Sequence, residues 1–379
     1  MRKVLLSLLG LSLPLAAAQD YVFGITYDAG GKFDGSFNEG TFNGLTQAVT
    51  ELEDEDGLAI DVLEFEGTPD TAAEGQRNMA SQGAELILAP GFLQYDAVIS
   101  VSQEFPDTNF VLIDAAPETE EEAAQYPNTR FIQFREHEGS YLVGYLAGTM
   151  TQTGTVGFVG GMDIPLIRAF DLGYQEGVKA ACPECKVVSN YVGSTPAAWN
   201  DPARARELAT TQRAQGTDVI YAAAGASGNG VIDFVNQTMC YQPKGEVRAS
   251  PLADQLATIE KPAAYTQKCG ENSQPLFFIG VDSNQNPRGD TDENPATLNF
   301  SLTSMLKRVD TAAYNAVIDV ADGNFEGGVQ NLGLAEDGVG YAIDEYNKAL
   351  VPQDVVDQLE AVRAQIVSGK VVVTDFRTQ

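Results

Sequence analysis

Apolar and polar positions alternate along the chain in blocks that predict an α/β protein. Short apolar runs rich in β-branched residues predict parallel strands that are buried on both faces. The stretches between them have the length of crossover helices. In the first part of the chain this pattern predicts strands at 22–26, 60–65, 85–89 and 109–113, with helices at 42–51, 70–83 and 95–104. The first part is therefore expected to form a doubly wound unit.

A second copy of the same alternation follows. It predicts strands at 155–159, 186–191, 218–222 and 276–281, with helices at 167–181, 202–215 and 228–236. A polar stretch at 240–274 predicts a surface insertion, and the remaining chain predicts a strand-like run at 301–306 and helices at 307–322 and 352–368. A chain of 379 residues also exceeds the ~250–300 residues at which single cores stop growing. We therefore expect two α/β lobes.

The beginning of the chain has the pattern of a secretory signal peptide. Arg2 and Lys3 precede an apolar run at 4–15, and alanines at 16–18 predict cleavage after residue 18. The run is shorter than the about 20 apolar residues of a membrane-spanning helix. No cysteine stands at the predicted cleavage site, so no lipid anchor is expected there. The pattern predicts a periplasmic or secreted protein.

The net charge limits the possible binding partners, and the cysteines indicate disulfides. The chain has 23 basic and 53 acidic residues, and a net charge of −30 disfavours nucleic acid and anionic membranes. Four cysteines in an exported protein predict disulfides, and of three pairings sequence proximity favours Cys182 with Cys185 and Cys240 with Cys269. A redox-active Cys-x-x-Cys is the alternative for the first pair. A zinc site is disfavoured because the only histidine, His137, is distant in sequence.

Acidic residues follow three predicted strands at the edge where a ligand crevice forms in parallel sheets. Asp28, Asp114 and Asp282, here called the strand-end carboxylates, stand at these carboxyl ends. A carboxylate accepts hydrogen bonds from hydroxyl groups, so the set suits a neutral polyhydroxylated ligand. In the loop after the first strand, Asp34 offers a further acceptor and Phe37 a flat apolar face. The alternative for these residues is a loop cap, an ion pair or an acidic surface loop.

Three further residues could contact a ligand in the same crevice. Trp199 is the only tryptophan and could serve as a stacking platform, and stacking on a base is worth about 1–3 kcal/mol in nucleic-acid sites. Gly225 lies in a short Gly-rich segment that opens a predicted helix, and Lys307 could donate to ligand oxygens. Core packing is the alternative for Trp199, and a solvated helix position is the alternative for Lys307.

The residue content indicates binding rather than catalysis. The chain has one histidine, no Gly-x-Ser-x-Gly and no cluster of metal ligands, so the usual parts of nucleophilic and metal hydrolysis are missing. Paired carboxylates can cleave glycosidic bonds, which leaves a nucleoside hydrolase as a minor alternative. We predict no enzymatic activity and no cofactor.

The loop after the first strand resembles the opening signature of a known protein family. Its pattern is Asp28-x-Gly30-x-x-x-Asp34-x-Ser36-Phe37-Asn38, and it resembles the basic membrane protein family of solute-binding proteins, which includes purine nucleoside receptors of ABC transporters. Further matches follow in the family's order over nearly all of the chain after the signal peptide. They lie at 134–144, 157–162, 165–174, 191–194, 199–203, 224–230 and 279–282, and at Ser304 with Lys307.

The resemblance implies a fold and a function. It implies a type I periplasmic-binding-protein fold whose two lobes are joined by three hinge crossings, with lobe one at 20–134 and 304–323 and lobe two at 135–303 and 324–379. It also implies a monomer that captures a nucleoside and delivers it to the permease subunits of an ABC importer. Purine is favoured by the resemblance alone. A binding protein for another small solute, such as a sugar or a signalling molecule, is the main alternative.

The resemblance also assigns roles to single residues. It implies a base sandwiched between Phe37 and Trp199, with other polar residues around the base and the sugar. Residues 195–198 resemble an insertion before Trp199, so its role as the second stacking residue stays open. Of the other expected residues, Asp28, Asn38 and Asp114 would lie beside the base, and Asp282 and Lys307 would face the sugar. Gly225 would allow the backbone to approach the ligand closely.

Overall fold

The computed structural model describes residues 21–243, 245–270 and 272–379, so the predicted signal peptide lies outside the described residues. The elements of the first part are β1 (Tyr21–Tyr27), α1 (Phe37–Asp56), β2 (Ile60–Glu66), α2 (Ala72–Ser81), β3 (Leu86–Pro90), α3 (Tyr95–Glu104), β4 (Asn109–Ile113), α4 (Glu120–Ala123) and β5 (Thr129–Phe134). The elements of the middle part are α5 (Glu136–Met150), β6 (Thr155–Met162), α6 (Pro165–Ala181), β7 (Lys186–Gly193), α7 (Pro202–Ala214), β8 (Val219–Ala223), α8 (Gly228–Thr238), β9 (Cys240–Tyr241), α9 (Pro251–Leu256), α10 (Ala263–Lys268) and β10 (Gln274–Pro275). The last elements are β11 (Phe277–Asp282), β12 (Ser301–Lys307), α11 (Val309–Ala321), β13 (Gly328–Leu332), β14 (Val339–Tyr341) and α12 (Gln353–Val367).

Two six-stranded sheets form the centres of two lobes. The first sheet has the order β13-β5-β4-β3-β1-β2 and is parallel throughout. The second has the order β14-β12-β11-β8-β6-β7 and is parallel except for β14. Central strands such as β3 and β8 are buried along their whole length, as expected for strands covered by helices on both faces. The prediction of two doubly wound lobes is confirmed.

The chain passes between the sheets three times, which agrees with the expected hinge crossings. The crossings lie between β5 and α5, between β12 and α11, and between β13 and β14. The helix α11 returns to the first lobe and packs against α1. The lobe boundaries differ from the predicted ones at two segments, because 304–307 belongs to β12 in the second sheet and β13 pairs with β5 in the first.

The predicted insertion at 240–274 contains two short helices between β9 and β10, which pair with each other. Disulfides join Cys182 to Cys185 and Cys240 to Cys269, which confirms both predicted pairings. Among the described residues, no helix has both the length and the apolar character needed to cross a membrane.

Candidate functional site

The eight predicted ligand-contacting residues all line one cavity between the lobes. The space free of protein atoms in this cavity, including the part open to solvent, is about 560 Å³. It lies at the carboxyl ends of both parallel sheets, where open α/β sheets bind ligands. The predicted residues in its lining are Asp28, Phe37, Asn38, Asp114, Trp199, Gly225, Asp282 and Lys307.

The loop after β1 is shaped by an acidic cap of α1. The buried carboxylate of Asp34 accepts hydrogen bonds from the backbone N–H groups of Ser36, Asn38 and Glu39, at 2.9 to 3.2 Å. These are N–H groups that the first turn of a helix leaves unpaired. The side-chain oxygen of Asn38 accepts from the backbone N–H of Asp28 at 2.9 Å, which joins the start of α1 to the end of β1. Asp34 therefore shapes the loop, and it also lines the cavity.

A glycine on the neighbouring strand makes room for Asp28. Gly91, directly after β3, has φ 109°, a backbone angle that disfavours residues with a side chain. A Cβ atom built at this position would lie 2.1 Å from Oδ2 of Asp28. Any larger residue at 91 would therefore displace the Asp28 carboxylate from the cavity wall.

A buried cluster of charges occupies the end of the cavity next to the hinge crossings. The ammonium of Lys307 is 2% exposed and lies 2.6 and 2.7 Å from the two carboxylate oxygens of Asp114. It also lies 3.2 Å from Oε1 of the fully buried Glu136. Asp114, directly after β4, and Asp282, the last residue of β11, have positive φ angles of 73° and 61°, which are uncommon for residues other than glycine. Such backbone strain is concentrated at functional sites.

The strand-end carboxylates share an unusual protonation range. Burial raises the pKa of Asp28, Asp114 and Asp282 to about 6 in each case. The positive charge of Lys307 partly offsets this for Asp114 and Asp282. Burial works against the charge of Lys307 itself, but the surrounding carboxylates outweigh it and raise its pKa. The ammonium is therefore held charged, while the carboxylates titrate near pH 6.

Aromatic rings form the apolar walls. The Lys307 ammonium lies 5.0 Å from the ring centre of Phe37 and 5.7 Å from that of Phe170, within cation–π range. Trp199 ends a short 3₁₀ helix at Pro196–Trp199, and its ring covers Gly161, where a Cβ would lie 2.5 Å from it. Its buried Nε1 has no hydrogen-bond partner in the described part of the chain. Gly225 lies against the same ring with φ 53°.

Direct hydrogen bonds cross the cleft and hold the lobes closed. The hydroxyl of Ser36 donates to Oδ2 of Asp282 at 2.5 Å, and the hydroxyl of Ser283 donates to the Ser36 carbonyl at 2.9 Å. The side chain of Gln285 donates to the Gly35 carbonyl at 2.7 Å. These contacts link the loop after β1 in the first lobe to the end of β11 in the second. Asp282 thus belongs both to the cavity wall and to the contact between lobes.

Several residues that line the cavity, or that contact its lining residues, were not predicted as functional. Phe170 stands on α6, which begins directly after β6 at the ligand edge, so its position in the strand–helix order was an available signal. Ser36 stands in the loop after β1, which was a similar signal. Glu136 pairs with Lys307, a partner far away in the sequence, and its role could not be read from its position. Asp114 and Lys307, expected beside the base and the sugar respectively, are ion-paired with each other at 2.6 Å.

Comparison with known proteins gives consistent matches over most of the chain. The family model of PnrA-like ABC transporter substrate-binding proteins matches residues 25–242. The CD4+ T-cell-stimulating antigen of Listeria monocytogenes is 29% identical over 365 residues, covering 95% of this chain and 89% of that protein. The ABC transporter nucleoside-binding protein BmpA of Lactococcus lactis is 26% identical over 351 residues, covering 92% and 88%. An ABC transporter solute-binding protein from Aeropyrum pernix K1 has a similar solved structure, with a TM-score of 0.70, 23% identity and coverage of 94% and 96%.

Proposed function

This chain belongs to the family of PnrA-like ABC transporter substrate-binding proteins, and from that premise we propose that it captures a nucleoside, with purine favoured, between its two lobes. The family is one of substrate-binding proteins rather than enzymes. We further propose that the protein is exported, acts as a monomer and presents its closed, ligand-bound form to a membrane permease. Closure would follow from contacts that the ligand makes with both lobes.

One observation supports this ligand class above the others. Three carboxylates from two lobes, Asp28, Asp114 and Asp282, meet at a single cavity that also has aromatic walls. Carboxylates accept hydrogen bonds from ribose hydroxyls, and aromatic faces stack on flat bases. In this proposal Phe37 and Trp199 contact the base. A ligand with both a sugar and a base satisfies both kinds of wall.

The charge of the cavity supports a neutral nucleoside over a nucleotide. Lys307 is the only basic residue among the described residues that line the cavity. Its ammonium is already held by Asp114 and Glu136, so it offers little free positive charge to a phosphate. A phosphate would also face the three strand-end carboxylates. The name of the Lactococcus lactis relative supports a nucleoside ligand as well.

Calorimetric titration of ligand-stripped protein with guanosine, adenosine, uridine and ribose tests the proposal. We expect saturable binding of a nucleoside and much weaker binding of ribose alone, and chromatography should recover the nucleoside intact. Equal binding of ribose would instead support a sugar receptor, and release of free base would support a hydrolase. Absence of binding to all four ligands would overturn the assignment.

A further inference from the structure

A chain of buried charges leads away from the cavity behind Lys307. Glu136 is fully buried, and its two oxygens face opposite ways: Oε1 lies 3.2 Å from the Lys307 ammonium and Oε2 lies 3.1 Å from the guanidinium of Arg377. Arg377 and Lys307 thus share one carboxylate between them. Neither Glu136 nor Arg377 lines the cavity, so neither is placed to contact a ligand.

Arg377 is held in a fixed orientation by its neighbours. Its guanidinium makes three hydrogen bonds with the carboxylate of Asp375, the shortest at 2.9 Å. It also donates to the carbonyl of Phe134 at 3.0 Å. Phe134 ends β5 in the first lobe and Glu136 begins α5 in the second, so Arg377 binds both sides of the first hinge crossing. A planar guanidinium suits this role because its five N–H donors point in fixed directions.

We propose that Glu136 and Arg377 are positioning residues for ligand binding, and this inference rests on the proposed function. Arg377 neutralises Glu136 and fixes its orientation, and Glu136 together with Asp114 fixes the Lys307 ammonium at the cavity wall. The 375–377 segment at the same time holds the crossing at 134–136. Ligand affinity therefore depends on a residue that the ligand does not touch.

The physical reason lies in competition for a single ammonium. With Arg377 in place, Glu136 has a cation of its own, and Lys307 remains closely paired with Asp114 at the cavity. Without Arg377, the buried charge of Glu136 is left with Lys307 as its only cation among the described residues, and the ammonium moves toward it. Asp114 and the ligand then lose a partner that was held in position before binding.

The test compares the dissociation constant of guanosine among variants at position 377. R377Q is expected to weaken binding about tenfold, and R377K is expected to restore most of the affinity because it returns a cation to Glu136. In the double variant E136Q/R377Q, the second change should add little to the effect of E136Q, because its target charge is gone. R204Q removes an exposed arginine paired with Glu207 and should bind like the wild type.

Several results would overturn the proposal. They are wild-type affinity in R377Q, no rescue by R377K, or a full additional loss in the double variant. Should R377Q fail to fold, D375N decides the question, because it removes the carboxylate that holds Arg377 while keeping the cation. A raised dissociation constant in D375N supports the positioning role, and an unchanged one contradicts it.

Hydrogen exchange in ligand-free protein separates this inference from the proposed function. The amide of Arg135 donates to the Leu332 carbonyl, and the amide of Glu138 donates to the Arg135 carbonyl. We expect faster exchange of the peptide containing these amides in R377Q and not in R204Q. If wild-type protein binds no nucleoside but this difference appears, the proposed ligand is wrong and the hinge contact stands. If binding occurs without the difference, the hinge contact is wrong.

Discussion

Replacing Lys307 with methionine should destabilise the protein in a strongly pH-dependent way. The ammonium is 2% exposed and is the cation nearest to Asp114, at 2.6 Å, and it also faces Glu136 at 3.2 Å. Removing one partner from a buried ion pair typically costs about 3–5 kcal/mol, because the remaining charge is left uncompensated. We therefore expect the free energy of unfolding of K307M to fall by about this amount at pH 8.

The sign of the pH dependence follows from the pKa of Asp114. Burial raises this pKa to about 6 even though Lys307 lowers it, so removing Lys307 should raise it further. A group whose pKa is higher in the folded state stabilises the fold below its unfolded pKa, and that stability is lost as the pH rises through the folded value. The deficit of K307M relative to the wild type should therefore be smaller at pH 5 than at pH 8.

Urea denaturation of both proteins at pH 5 and pH 8 measures this difference. The matched control is K179M, because Lys179 donates to the backbone carbonyls of Pro183 and Cys185 rather than to a carboxylate. Its deficit should stay within about 1.5 kcal/mol and change little with pH. A K307M deficit that is equal at both pH values, or larger at pH 5, would show that Lys307 does not compensate the buried charge of Asp114.

Three further predictions concern closure, protonation and the insertion. S36A removes the hydrogen bond to Asp282 across the cleft, so the dissociation constant should rise on the order of 10- to 100-fold in calorimetry, and unchanged affinity would contradict a role in closure. A ligand that donates hydrogen bonds to the strand-end carboxylates should lower their pKa from about 6. Binding near pH 6 should then release protons, and the affinity should fall at lower pH. The measured heat of binding should therefore vary with the ionisation enthalpy of the buffer, and a heat that is the same in all buffers would contradict proton release. The double variant C240S/C269S should lose about 3–4 kcal/mol of stability in urea while keeping its ligand affinity, and equal stability would show that the disulfide does not constrain the unfolded chain.

The strands with continuous apolar runs could be predicted from the sequence, and those with polar side chains could not. β4 matches its predicted span of 109–113, whereas β5 was not predicted. Its Arg130 interrupts the apolar pattern, and this side chain is buried because it pairs with Asp319 at 2.7 Å and stacks on Phe325. β13, with the sequence Gly-Val-Gln-Asn-Leu, is a partly exposed edge strand with little hydrophobic signal.

The same distinction holds for the site. Asp28, Asp114 and Asp282 could be predicted because parallel strands bring their carboxyl ends to one edge, which is a local rule applied to each strand. The partners of these residues could not be predicted, because they depend on how the lobes meet. Arg377 approaches Glu136 across 241 positions of sequence, a contact that only the folded hinge creates.

The single tryptophan allows a direct test of whether a nucleoside binds between the lobes. Trp199 lines the cavity, so its fluorescence reports on this site alone. Titration with guanosine, adenosine and uridine should give a saturable change in fluorescence for at least one nucleoside, whereas ribose should give none at the same concentrations. No change with any nucleoside, or an equal change with ribose, would show that this cavity does not bind nucleosides as proposed.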